Sequence, residues 1–152
     1  LYKGWHGDNA GTFMAGEASE EAKRLIEVTK QSFFEGLKAA VVGNRIGDIS
    51  HAIQEYVEKN GFSVVREYVG HGIGREMHED PEVPNFGHLG RGARLVPGMT
   101  LAIEPMVNAG AVAVRQMPDG WGVKTKDGSL SAHFERSIVI TTNGPVILTD
   151  PA

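Results

Sequence analysis

Helical periodicity is confined to the first sixty residues, and this division constrains the fold more than any other feature. From Ser19 to about Val41, the residues Ala22, Leu25, Ile26, Thr29, Phe33, Leu37 and Ala40 fall on one helical stripe. Ser19 suits the N-cap, Glu20 and Glu21 suit the positive end of the helix dipole, and Gly43 suits the stop. A second helix is predicted from Ile46 or Asp48 to Asn60, burying Ile49, Ile53, Tyr56 and Val57, with Gly61 in the left-handed C-terminal position. Beyond Gly61 the pattern changes to short apolar runs broken by glycine and proline. Ser63–Val69, Met99–Glu104, Ala111–Gln116 and Ala132–Thr142 read as strands, and Val96–Gly98 and Pro118–Gly120 as turns. Helices followed by hairpin-like strands predict an α+β fold with a mainly antiparallel sheet. A chain of 152 residues is expected to form one domain over 1–152 with a full core.

Composition narrows the chemistry. The absence of cysteine excludes disulfides and thiolate zinc sites, so any metal would be held by His, Asp and Glu. A net charge of -4 with scattered basic residues offers no nucleic-acid footprint. No apolar run is long enough to cross a bilayer and no signal-like stretch opens the sequence, so the expected location is cytoplasmic.

Four stretches carry groups capable of chemistry. Tyr68–Gly87, YVGHGIGREMHEDPEVPNFG, sets His71 among glycines and places His78 seven residues later. It is not a zinc helix: Glu82 stands where HExxH needs its second histidine, and Pro81 breaks the helix. Gly70, Gly72 and Gly74 do not match GxGxxG. In LAIEPM, Glu104 ends an apolar run before Pro105, which biases it to an extended conformation. In AHFERSIVIT, Glu135 and Arg136 point to opposite faces of a strand, a pattern open to an edge-strand reading. In GWHGDNAGTF, Asp8 stands among glycines and short polar residues. Each alone is equally a turn, a strand end or a solvated group. Together, one imidazole and three carboxylates suit a two-metal hydrolase site.

GWHGD, YVGHGIGREMHEDPEVPNFG, LAIEPMV and GWGVKTKDGSLSAHFERSIVIT, in this order, resemble the methionine aminopeptidases. The short separation of His71 from Glu104 resembles the compact type I enzymes. The resemblance covers essentially the whole chain. It implies a pita-bread fold, a curved sheet with two helices, and hydrolysis of the first peptide bond to release methionine from nascent polypeptides. It implies that Asp8 and Glu135 bridge two cations and that His71 and Glu104 complete one position. It also implies that His78 contacts the substrate amide and oxyanion, that Glu104 shuttles protons, and that Trp121 and Met77 meet the methionine side chain. Met77 replaces a phenylalanine common in relatives. The implied cofactors are two divalent ions, Co, Mn, Fe or Zn. His6, His51, His88 and His133 receive no site role.

The family's further metal aspartate would fall before Leu1. The chain is therefore expected to be an N-terminally truncated, C-terminal portion of such an enzyme. One metal position is expected to be better formed than the other, and activity alone weak or absent. Expected partners are nascent chains, the ribosome, and the missing N-terminal half or another copy of the chain. A proline-specific aminopeptidase of the same fold and a non-catalytic peptide-binding module are the alternatives.

Overall fold

In the computed structural model, residues 1–150 are described; the last two residues of the expected 1–152 domain lie outside them. Two helices and ten strands are formed among the described residues. Strand β1 is Asn9–Gly11, helix α1 Glu20–Ala39, helix α2 Ile46–Lys59, and β2 Ser63–Val64. Then follow β3 Gly70–Gly72, β4 Glu79–Val83, β5 Thr100–Ile103, β6 Met106–Asn108 and β7 Val114–Gln116. The chain ends with β8 Val123–Thr125, β9 Ser131–Thr141 and β10 Gly144–Ile147.

The helices form where the periodicity places them. The Ser19 side chain caps α1 by accepting from the Ala22 N–H at 3.2 Å. Asp48 closes the first turn of α2 by accepting from the Arg45 N–H at 2.7 Å. Gly61 has φ 80° and lets the chain leave α2 in the left-handed region. The helices pack closely at Gly36, where a Cβ would meet the Ile53 side chain at 2.8 Å.

Strand β9 organises the sheet. Strands β5 and β6 pair with successive halves of one edge of β9, and β1 and β10 pair with the other edge, all antiparallel. Strand β3 adds to β5, β4 adds to β3, and β2 adds to β6; β7 and β8 form a separate hairpin. The helices cover one face. Ala132, Phe134, Ile138 and Ile140 of β9 join Leu101 and Ile103 of β5 and Phe33, Ile49, Ile53 and Val57 of the helices in one core. The Phe33 and Phe134 rings lie 5.3 Å apart. The alternate residues of β9, His133, Glu135 and Ser137, therefore face away from the helices.

Several strand expectations are corrected. The strand expected over Ser63–Val69 stops at Val64, and Arg66–Tyr68 are exposed. That expected over Ala111–Gln116 begins only at Val114. The edge reading of Glu135–Arg136 fails, because β9 is paired along both edges. The stretch Glu79–Val83 is itself a strand, at the end of the sheet, where Pro81 is tolerated because one edge needs no ladder partner.

Strand β3 approaches its neighbours so closely that only glycine fits beside His71. A Cβ at Gly70 would collide with the Ala102 carbonyl oxygen, and one at Gly72 with the Asp80 carbonyl. Backbone cannot yield as a flexible side chain can. Gly70→Ala is expected to destabilise the chain by roughly 1–3 kcal/mol or more, measured by urea unfolding. A wild-type midpoint would contradict this β3–β5 approach.

Candidate metal centre

The sheet register builds one polar cluster on the face opposite the helices. Cross-strand neighbours share a face, so the pairings His71–Ala102 and Ala102–Ser137 align His71 with the site face of β9. Asp8 precedes β1, whose Asn9 pairs with Arg136. The Ser137 hydroxyl fixes the Asp8 backbone twice, accepting from its N–H at 2.9 Å and donating to its carbonyl at 3.0 Å. Glu104 occupies the break between β5 and β6 along β9, opposite the Phe134–Glu135 region. The Asn85 amide donates to the Glu104 carbonyl at 3.0 Å and steadies that break.

Two groups of ligand-type atoms result, each with all its atoms within 4.8 Å of one another: Asp8–His71–Glu135 and Glu104–His133–Glu135. The four residues expected to surround one ion, joined by His133, are thus arranged as two triads that share Glu135. Glu104 links them, with Oε1 3.6 Å from His71 Nε2 and Oε2 3.3 Å from His133 Nε2. His71 Nε2 is 3.8 Å from Asp8 Oδ2. Its Nδ1 lies 2.8 Å from the Gly72 carbonyl, which can only accept, so Nδ1 carries the proton. In the neutral ring, Nε2 then presents its lone pair to the carboxylates, the arrangement a metal-binding imidazole needs.

Glu135 is the most constrained member. It is 4% exposed, and its Oε1 has no hydrogen-bond partner. Burial foremost, then repulsion from Glu104 and Asp8, pushes its pKa up to about 8; Arg136 acts the other way. The Arg136 Nη1 is engaged by Asn9 Oδ1 and by the carbonyls of Ala10 and Glu135. Three carboxylates and two imidazoles without a thiolate form a donor set suited to a hard or borderline divalent ion, and the unpartnered Glu135 oxygen fits such an ion.

The remaining expected site residues lie further out. His78 is exposed, its ring 4.3 Å from that of His71, beside an open cavity of about 410 Å³ lined by Val69, Gly70, His71, Glu79, Asp80 and Glu82. Met77 is exposed on the same loop. Trp121 is 91% exposed near the tip of the β7–β8 hairpin and does not join the cluster. His133, given no role from the sequence, is brought into the cluster. Its signal was available: it stands two residues before Glu135, and residues so spaced in a strand share a face. It also lines a cavity of about 300 Å³ with Val65, Tyr68, Met106 and Val114.

Comparison with known proteins identifies the family and the fold. Residues 1–142 match metallopeptidase family M24. The chain is 61% identical over 149 residues to a methionine aminopeptidase of Clostridium acetobutylicum, covering 98% of this chain and 60% of that protein. The crystal structure of a methionine aminopeptidase from Thermotoga maritima superposes with a TM-score of 0.97 at 52% identity, covering 99% of this chain and 61% of that one. An Xaa-Pro dipeptidase from Bacillus anthracis, at 23% identity, shares the fold with a TM-score of 0.74, covering 99% of this chain and 37% of its own. The chain spans about 60% of the length of the curated relatives it matches first. The α+β, pita-bread architecture is shared. No helix among the described residues is long and apolar enough to cross a membrane.

The raised pKa sets the direction of a pH effect. Folded, cation-free chains hold a proton on Glu135 that unfolded chains release, so its contribution is complete below 4.5 and is lost as the pH rises through about 8. The melting temperature in EDTA is therefore expected to fall across this range, and Glu135→Gln to remove that part of the slope. Mn2+ should flatten the slope by replacing the proton. A cation-free slope unchanged in Glu135→Gln would contradict the assignment.

Proposed function

The chain belongs to metallopeptidase family M24, and from that premise we propose that it is the catalytic domain portion of a methionine aminopeptidase. On this reading it takes nascent polypeptides leaving the ribosome and hydrolyses their first peptide bond. The observation that supports it best is the Glu135-centred cluster, with Asp8, His71 and Glu104 reaching one sheet face from three other segments. Asp8, His71, Glu104 and Glu135 are the proposed holders of divalent ions such as Co, Mn, Fe or Zn. When bound, these would supply Lewis acidity and a water acidic enough to ionise near neutral pH.

The chain's own side chains carry the rest. Glu104, with a side chain 14% exposed, is proposed to accept a proton from the attacking water and pass it to the leaving amine. Water adds to the carbonyl carbon, the carbon–nitrogen bond breaks, and the amine leaves protonated. His78, at the open mouth beside His71, is proposed to donate a hydrogen bond to the oxygen as it gains charge. Met77 and Trp121 are exposed apolar groups available to the methionine side chain. The carboxylates facing the cluster also suit the positive N-terminus of a peptide.

Turnover by this chain alone is proposed to be slow, because it spans about 60% of its relatives. The test is release of free methionine from Met-Ala-Ser with Co2+ or Mn2+, read by mass spectrometry over long incubations. Slow release is expected, abolished by EDTA and lowered roughly 100-fold in His78→Ala, with cation content unchanged. A peptide with proline second in place of alanine tests the proline-specific alternative. Saturable binding of Met-Ala-Ser with no cation bound would favour the peptide-binding module.

A further inference from the structure

Sheet pairing fixes His71 but not His78. His78 stands on the loop between β3 and β4, where Arg75, Glu76 and Met77 are also exposed. An exposed loop samples many conformations unless something ties it down. Among the described residues, every hydrogen bond from residues 74–78 to a segment outside the β3–β4 hairpin goes to Gly4 or His6. We infer that Arg75 is a positioning residue for His78. Its guanidinium clamps the loop onto the turn that leads into Asp8, and so holds the His78 ring at the mouth of the site. The inference rests on the reading of His78 as the donor to the developing oxyanion, and adds the group that sets its place.

Three observations carry it. First, the Arg75 guanidinium lies over the Trp5 ring, its Cζ 4.0 Å from the ring centroid, within reach of cation–π attraction. Second, Arg75 Nη1 donates to the Gly4 carbonyl at 3.1 Å, and a Cβ at Gly4 would meet the same nitrogen at 2.8 Å, so the guanidinium packs directly on the turn. Third, the His6 N–H donates to the Gly74 carbonyl at 2.9 Å. A backbone join and a side-chain clamp thus act side by side on the same two segments.

The turn is a firm anchor. Tyr2 and Trp5 exchange both backbone hydrogen bonds, at 2.8 and 3.0 Å, with Lys3 and Gly4 between them at φ 50° and 82°. Shortly after Trp5, Ser137 fixes Asp8 at both its backbone N–H and its carbonyl. The clamp therefore ties His78 to the segment that carries Asp8, while the His78 ring rests 4.3 Å from that of His71. Arginine suits this place because a planar guanidinium can stack on an indole and still offer an N–H to a carbonyl.

The test uses the intact chain with Mn2+ and Met-Ala-Ser. Arg75→Ala is expected to lower kcat for methionine release roughly tenfold or more, with KM held within about twofold. In His78→Ala there is nothing left to position, and the same substitution is expected to change kcat by less than about twofold. An equal loss in both backgrounds overturns the inference, because a merely structural role does not depend on His78. The cation-free chain gives a readout that needs no turnover. A nuclear Overhauser contact between the His71 and His78 rings is expected in wild type and lost in Arg75→Ala, while contacts between β3 and β5 persist. Ring contact absent from wild type, or retained in Arg75→Ala, overturns the inference. If Arg75→Ala does not fold, Trp5→Leu takes its place with the same expectations. If wild type releases no methionine, the proposed function fails, and the ring contact alone decides this inference.

Discussion

The structure turns on the burial of Glu135 in the middle of its longest strand. An ionised carboxylate in that position, with Glu104 and Asp8 as neighbours, is costly unless something positive meets it. A proton is one answer, and the pKa of about 8 shows how strongly the cluster calls for it. A cation is the better one. Releasing the proton one pH unit below its pKa costs about 1.4 kcal/mol, which a bound cation offsets once its free concentration exceeds its dissociation constant about tenfold. Even modest cation affinity therefore displaces the proton near neutral pH.

The fold supplies this arrangement through pairing alone. Because β9 is paired along both edges, its two faces are assigned without ambiguity: Phe134, Ile138 and Ile140 go to the helices, and His133, Glu135 and Ser137 go to the cluster. Every other member is positioned by its register to β9. Ser137 fixes Asp8, Ala102 aligns His71, and the gap between β5 and β6 frees Glu104 from the ladder. Gly70 and Gly72 let β3 come close enough for His71 to join. The glycines around His71 therefore serve backbone approach, and no phosphate loop is involved.

Both helices were legible in the sequence because a 3.6-residue period over fourteen or twenty residues is a strong signal, and Ser19 and Gly61 mark their ends. The short strands were less so. Strands β1, β3 and β4 consist largely of glycine and polar residues with one proline, and their conformation comes from the strands they join. Asp8, His71, Glu104 and Glu135 were legible as a metal-type donor set, but that they meet was implied only by the family resemblance, since nothing in their spacing along the chain says so. The clearest omission is His133. Its position two residues before Glu135 placed it on the same face once Glu135 was taken as inward, but the edge reading of Glu135–Arg136 hid that consequence. Trp121 was nominated by motif position alone, and the β7–β8 hairpin leaves it exposed.

The central claim is that this face holds divalent cations through Glu135. Anomalous diffraction from crystals soaked in Mn2+, collected above the manganese absorption edge, tests it most directly. The account predicts a strong peak within bonding distance of the Glu135 carboxylate and of the His71 ring nitrogen, Nε2. Mn2+ bound elsewhere on the chain, with no peak beside Glu135, would contradict it.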